Sequence, residues 1–479
     1  MSSPDRDDTL LEDTAEAVTD ARGAERGQLD EENILKPEFV RAVREALDAG
    51  ETDAVYDLVE PLHPADIADL FELIEANERR ALARAISDQM SADVIAELND
   101  YVREAIIEAL PAGIVAEIAE QLDTDDAVAM IEDLDEEDQQ AVLAEMEPED
   151  RAAIESALSY PEESAGRLMS RDVIAVPEHM TVGHLIDYLR ENPDLATEFW
   201  EVFIVDAGHH PVGSCLLSWV LRTPRDIALT DVMKRDQTLI PVAMDQEEVA
   251  LRFQKYALIS AAVVDEAGRL VGQITVDDIV HIIQEEASED ILRLSGAGDG
   301  DINEPILLTV RSRLTWLVVN LGTAILASSV VGLFQGAIAK LALLAVLMPI
   351  VSGMGGNAGT QTLAVTVRAL ATNQLTSSNT MRMIGRELRI ALTNGAVLGT
   401  LIGTGTAVLF ANPLLGAVIG AAMVINNLIA GLAGILVPVT LDRCRVDPAV
   451  SSAVFVTMAT DVMGFFSFLG LAVLSGLAS

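Results

Sequence analysis

The last third of the chain is almost entirely apolar, in five blocks at 314–334, 337–367, 388–410, 414–441 and 450–477. Each block reaches the roughly 20 residues that a helix needs to cross the hydrocarbon core of a bilayer. Before them the pattern differs. From about residue 33 to 159, apolar residues recur at spacings of three and four, as in Ile67, Leu70, Phe71, Ile74 and in Val128, Ile131, Leu134. That spacing predicts amphipathic helices. Units such as HPADIADLFELI, MSADVIAELN and LDTDDAVAMIEDL read as weak repeats of a helix-pair superhelix. Asp123 or Thr124 stands where a helix N-cap is expected.

After YPEESAGRLM the period shortens. Two units follow, each predicting a strand, a helix, two apolar strands around a turn and a further helix. In the second unit AAVVD and LVGQIT flank the turn EAG; in the first, the turn holds His209 and His210, which read as solvated. A helix is then predicted from about 276 to 294. The predicted fold is multidomain. A disordered acidic tail spans 1–30 and an all-α superhelical domain 31–160. An α/β pair covers 161–225 and 226–284, a connecting helix 285–312, and a five-helix transmembrane domain 313–479.

Charge sharpens the division. The chain carries a formal charge of −45, and 72 of its 76 acids precede Pro305. Such a surface repels nucleic acid. Only four of the basic residues are lysines, a composition that suits a protein adapted to high salt, where self-repulsion is screened. Most of the acids are therefore expected to be solvated surface. Cys215 and Cys444 are the only cysteines, which excludes a disulfide framework and a zinc-type cluster. The first residues have neither a basic n-region nor an apolar h-region, so no cleaved leader is expected. Arg311 and Arg313, then Arg368, Arg382, Arg386 and Arg389, then Arg443 and Arg445 fall on one side of the five blocks, against Lys340 on the other. This bias places the acidic half in the cytoplasm and the C-terminus outside.

Asp461 is the only acid within any of the apolar blocks. Burying a carboxylate at the centre of a bilayer costs about 2.5–3.5 kcal/mol on insertion scales, so such residues mark ion pathways by default. The second block contains LMPIVSGMGGNAGTQTL, and its proline and glycines predict a broken helix. Irregular backbone at that depth suits a wet cavity whose carbonyls face an ion. Asn357 and Gln361 add neutral oxygens four residues apart, and Thr457 precedes Asp461 by one turn. Without Cys or His in the blocks, hard cations are favoured over copper or zinc. Mg²⁺ suits a site that holds a partly hydrated ion through one or two carboxylates, and Mn²⁺, Co²⁺ and Ni²⁺ fit similar oxygen geometry.

The paired α/β units resemble a tandem of CBS domains. In that family a G-x-x-T-x-x-D pattern holds a nucleotide ribose, and Gly272, Thr275 and Asp278 match it. The first unit has Gly213 but no matching Asp, so the resemblance implies at most one site for ATP or another adenine nucleotide. The whole order of parts, with GGNAGTQ and ATDVMGFFSFLGLA in the spans, resembles the MgtE family of magnesium channels and transporters. The resemblance implies a homodimer in the cell membrane with a pore lined by the second and fifth spans. It places Asp461, Asn357, Thr457, Gly353, Gly356 and Gln361 on the ion pathway. It also implies closure by cytosolic Mg²⁺ bound to acids of the soluble domains and connecting helix, at positions that here carry Asp125, Asp245, Glu247, Asp278, Glu286, Glu289, Asp290 and Asp447. Ala129, Ala257 and His281 stand where the family pattern has acids, which implies altered affinity or fewer sites. Two other readings stay open: a proton- or sodium-coupled divalent-cation carrier, and a membrane-tethered metal or nucleotide sensor without transport. An enzyme is not expected, because the spans offer neither a nucleophile with a base nor paired acids.

Overall fold

The computed structural model describes residues 28–107, 110–132, 134–192, 195, 199–295, 303–449 and 452–478. The acidic tail expected over 1–30 lies, up to residue 27, outside them. The chain divides into two units, Met1–Ile283 and Gln284–Ser479.

The first unit opens with short helices: α1 (Pro37–Ala49), α2 (Thr52–Val59), α3 (Pro64–Leu73), α4 (Ala76–Ala85), α5 (Ala92–Ala96), α6 (Asp100–Ile107), α7 (Ala112–Ala119), α8 (Thr124–Glu132), α9 (Glu136–Glu145) and α10 (Pro148–Leu158). Local signals set their starts. The Glu75 and Glu78 side chains form a reciprocal capping box at α4, Ser91 caps α5, Asp135 caps α9, and prolines open α1, α3 and α10. The apolar stripes meet in one core where Ile67, Leu70, Phe71, Ile74, Val128, Ile131 and Leu134 are all buried, as their spacing predicts. Arg79 is buried with them, and its Nε donates to the Phe71 carbonyl at 2.9 Å.

Two three-stranded sheets follow. The first comprises β1 (Ala175–Pro177), α11 (Val182–Glu191), β2 (Glu201–Val205), β3 (Pro211–Leu216), α12 (Leu217–Val220) and α13 (Leu229–Val232). The second comprises β4 (Ile240–Pro241), α14 (Gln246–Tyr256), β5 (Ser260–Val264), β6 (Leu270–Thr275) and α15 (Val276–Ser295), whose last turns belong to the second unit. In each sheet a parallel pair precedes an antiparallel hairpin, and Gly213 opposite Ile204 corresponds to Gly272 opposite Val263. The two halves exchange segments. Ser170 pairs with Gln273, and Lys234 pairs with Ser214. Ala165 and Met169 therefore fill the core of the second sheet, while Leu229 and Met233 complete that of the first. The expected divisions at 160/161 and 225/226 fall just before these exchanged residues. Both glycines make the exchange possible. A Cβ on Gly272 would meet the Ser170 carbonyl at 2.7 Å, and one on Gly213 would meet the Lys234 carbonyl at 3.0 Å.

The second unit holds five helices long and apolar enough to cross a membrane: α16 (Ile306–Leu333), α18 (Leu343–Ala371), α19 (Thr380–Leu409), α20 (Pro413–Arg443) and α21 (Ser452–Leu474). The short α17 (Gln335–Lys340) lies between the first two. The expected break in the second span is corrected here, since α18 runs unbroken through Pro349 and its glycines. Tertiary packing overrides their low helix propensity. A Cβ on Gly355 would stand 2.7 Å from Asn426 Cγ of α20, and one on Gly359 2.6 Å from Val456 Cγ1 of α21. α19 and α20 approach through glycines on both sides. A Cβ on Gly399 would lie 2.6 Å from the Gly420 carbonyl, and one on Gly420 2.9 Å from the Gly399 carbonyl. Gly399→Leu should therefore cost stability toward the upper end of about 1–3 kcal/mol or beyond. Gly405→Ala, which meets open space, should leave thermal unfolding in detergent unchanged. Equal midpoints for the two variants would contradict this packing.

Candidate functional site

Asp461 sits midway along α21, half-buried, and its Oδ1 accepts a hydrogen bond from Ser352 Oγ of α18. Further along α18, Gly359 meets Val456 and Thr460 of α21. The order of these contacts runs 352 with 461 and then 359 with 456 and 460. The two helices are thus antiparallel, and Asn357 and Thr457 lie about one turn along them from Asp461. Asn426 of α20 closes the other side. Its Nδ2 donates to the Val351 carbonyl at 2.8 Å, and its amide lies between Gly355 and Gly464.

Gly353, Asn357, Thr360 and Gln361 recur at three and four along α18, and all are exposed, as is Thr457. No other helix described in this chain covers them. A strip of amide and hydroxyl groups at this depth requires water or protein opposite it, because hydrocarbon satisfies none of them. Of the expected pathway glycines, Gly353 and Gly356 face open space, whereas Gly355 and Gly359 pack between helices. Ser352 and Asn426 carried no flag in the sequence. A serine in an apolar helix ordinarily bonds back to its own backbone, and an asparagine in a long apolar run gives no hint of its partner. Glu387 is also buried within α19. The flanking Arg386 and Arg389 break the apolar run there, so a search of apolar blocks stops at residue 388.

The soluble acids gather differently. Asp125 of α8 and Asp278 in the first turn of α15 lie close enough to repel one another. Burial pushes Asp125 well above the ordinary carboxylate value, with Asp278 and Asp126 adding repulsion, and one buried oxygen, Oδ1, has no hydrogen-bond partner. Asp126 keeps an exposed edge, yet partial burial and then Asp278 and Asp123 push it up to about 6, against the pull of Arg103. Burial also raises Asp278, opposed by the Thr275 hydroxyl and N–H, which donate to its Oδ2 at 2.8 and 3.1 Å. An orphaned carboxylate oxygen among like charges fits a cation. Among the described residues, though, no three acid, His or Cys side chains converge as a ready-made metal cage.

Other expected sensor residues have local partners. Asp245 caps α14 by accepting from the Glu247 N–H at 3.0 Å. Asp447 Oδ2 accepts from Arg293 Nη1 at 2.7 Å, and Glu289 pairs with the same guanidinium. Glu286 is half-buried on α15, and the Asp290 side chain lies outside the described residues. Asp126, Asp277 and Arg293 join these clusters without having been singled out by sequence, and Asp123 joins them although the sequence marks it only as a candidate helix cap. For the nucleotide pattern, Thr275 and Asp278 bond to each other, and Gly272 serves the strand exchange. Trp219, exposed, takes the register position of Asp278 in the first unit.

The raised carboxylates carry a pH signature. Their folded-state values lie above 3.8, so the folded state binds protons more tightly than the unfolded state. Stability is then lost as pH rises from about 4, through about 6 for Asp126 and on through the raised values of Asp125 and Asp278. Asp187, Asp206 and Asp265 are held low, chiefly by Arg225, by the His210 backbone and by the Arg269 backbone respectively, and they act in the opposite sense below about pH 4. The first unfolding transition of the full-length protein should come at a higher temperature at pH 5 than at pH 7. Asp126→Asn should narrow that difference, and a midpoint that rises steadily from pH 5 to 7 would contradict the cluster.

Five membrane-length helices with an acid at mid-depth, preceded by a paired α/β module, define a class of multi-pass membrane transport proteins. Residues 348–471 match the MgtE family described as "Divalent cation transporter", 62–163 the MgtE intracellular N domain, and 229–285 the CBS domain. The chain is 33% identical over 319 residues to the magnesium transporter MgtE of Enterococcus faecalis, covering 67% of this chain and 70% of the relative. It is 30% identical over 445 residues to the magnesium transporter MgtE of Thermus thermophilus, covering 91% of this chain and 98% of the relative. A solved structure of the cytosolic domain of the Mg²⁺ channel MgtE in complex with ATP is 28% identical with a TM-score of 0.47, covering 51% of this chain and 99% of that one. The chain belongs to the MgtE family.

Proposed function

We propose that this protein carries Mg²⁺ across the cell membrane along a path that passes Asp461, and that cytosolic Mg²⁺ closes this path by binding at the Asp125–Asp278 cluster. One observation carries the first part: the hydroxyl and amide strip of α18 stands uncovered in the single chain, beginning about one turn from the one mid-span carboxylate. Relatives over nearly the whole length are magnesium transporters. A second copy related by a two-fold axis would bring two Asp461 carboxylates to one aqueous path, which suits a hydrated Mg²⁺. Asn357, Thr457 and Gln361 would order its water. The same oxygen set would pass Mn²⁺, Co²⁺ and Ni²⁺ to some degree. The arginine distribution supports a cytoplasmic soluble half and an outward C-terminus.

Closure rests on the orphaned Asp125 oxygen and the mutual repulsion around it. Bare carboxylates push apart, and a bridging divalent ion draws them together. Glu286, Glu289, Asp290 and Asp447 are further acids through which the ion could act on the second unit. Thr275 and Asp278 would have to open their mutual hydrogen bond to hold a ribose, so a nucleotide at this position would compete with the capping of α15. The test is Mg²⁺ uptake by proteoliposomes. Ser352→Ala, which removes the hydrogen bond to Asp461, should lower uptake on the order of tenfold. Uptake equal to wild type at matched incorporation would remove Ser352 from the path.

A further inference from the structure

We infer that Asn426 is a positioning residue for the ion path: its buried amide clamps α18 and α21 together and thereby sets the Ser352–Asp461 pair. The inference rests on the reading that ions pass Asp461. Asn426 is 0% exposed at the middle of α20, a helix that carries no expected pathway residue. Its Nδ2 donates to the Val351 carbonyl at 2.8 Å, beside Ser352. The same amide fills the space that side chains would take at Gly355, three residues beyond Ser352, and at Gly464, three residues beyond Asp461. One side chain thus touches both helices one turn from the hydrogen bond that joins them.

Two features separate this from simple filling of space. The Asn426 Oδ1 is buried without a hydrogen-bond partner, so the amide carries a polar cost that an apolar side chain of similar size would avoid. The bond also ties α20 to the backbone of α18 itself, two residues beyond Pro349, which an apolar side chain could not do. Fixing Val351 fixes where the adjacent Ser352 hydroxyl points. Asn427 Oδ1 is likewise unpartnered, but its Nδ2 donates to its own helix at Met423 and it packs toward Gly395 of α19, so it joins neither α18 nor α21.

The test uses the full-length protein in proteoliposomes and compares uptake at varied Mg²⁺ for wild type, Asp461→Ala, Asn426→Ala, Gly355→Ala and the Asn426→Ala/Gly355→Ala pair. Gly355→Ala drives its new methyl into the amide, and the double variant refills the vacated space with a methyl group. Asn426→Ala should raise the half-saturating Mg²⁺ concentration about tenfold, on the scale expected when a binding group is displaced. Gly355→Ala should do the same, and the double variant should match either single one while regaining thermal stability. If the double variant returns to wild-type half-saturation, Asn426 only fills space and the inference is overturned. An unchanged half-saturation in Asn426→Ala overturns it equally, provided Asp461→Ala has lost uptake. If Asp461→Ala keeps uptake, the underlying reading fails and takes this inference with it. Should Asn426→Ala not fold, the refilled double variant carries the comparison.

Discussion

Asp461→Ala is expected to lower Mg²⁺ uptake at least about a hundredfold, because losing roughly 2.7 kcal/mol of stabilisation along the path is sufficient for that. The side chain lies midway along α21, half-buried, with Ser352 as its one hydrogen-bond partner among the described residues. Its remaining oxygen capacity can therefore face the path. The side-chain oxygens of the neighbouring strip, from Asn357, Thr360, Gln361 and Thr457, are neutral. Neutral dipoles can order the water around an ion but cannot offset its charge in a low-dielectric setting. The variant should still elute as a folded species, because it removes a polar group from a partly open position and leaves the glycine contacts of α18 and α21 in place. Uptake measured with a Mg²⁺-sensitive dye at matched incorporation and high salt checks this. Wild-type rates in the folded variant would take Asp461 off the path.

The second large effect concerns closure. With millimolar Mg²⁺ on the cytoplasmic side, wild-type uptake should fall about tenfold or more, whereas the Asp125→Asn/Asp278→Asn double variant should remain as open as it is without that Mg²⁺. Both carboxylates are raised by burial and by like charges, so in the bare state they are held together against repulsion. Amides remove the repulsion and the metal ligands together. Cytosolic Mg²⁺ should likewise raise the first unfolding transition of the wild type, by roughly 2.7 kcal/mol at about a hundred times its dissociation constant, and leave that of the double variant in place. Closure that persists in the double variant would move the sensor elsewhere, to Asp447 and the acids of α15 first.

The sequence was informative where one force dominates. Apolar spacing alone gave the buried face of α3 and α8, because burial of Leu70, Phe71 and Ile131 outweighs local preference. Block length gave the five spans for the same reason. It misleads at α18, where proline and glycine predict a break. Gly355 and Gly359 are instead the surfaces that Asn426 and Val456 press against, and packing of that kind depends on helices distant in sequence. Asp461 was legible because a carboxylate in an apolar run violates a solvation rule by itself. Ser352 and Asn426 violate none, so only the geometry identifies them. The acids of the first unit posed the reverse problem. Exposed positions such as Glu136, Glu137 and Asp138 carry the same charge as Asp125; in the sequence only the family pattern sets it apart, and in the structure its burial beside Asp278 does.

The most direct measurement is Mg²⁺ entry into vesicles holding the wild type, beside protein-free vesicles and the nearly isosteric Asp461→Asn. Low Mg²⁺ on the cytoplasmic face would keep the path open. The wild type should admit Mg²⁺ well above both, since the variant keeps the shape of the site and removes only its charge. Equal entry in wild type and Asp461→Asn, or wild-type entry no faster than in protein-free vesicles, would contradict a magnesium path at Asp461.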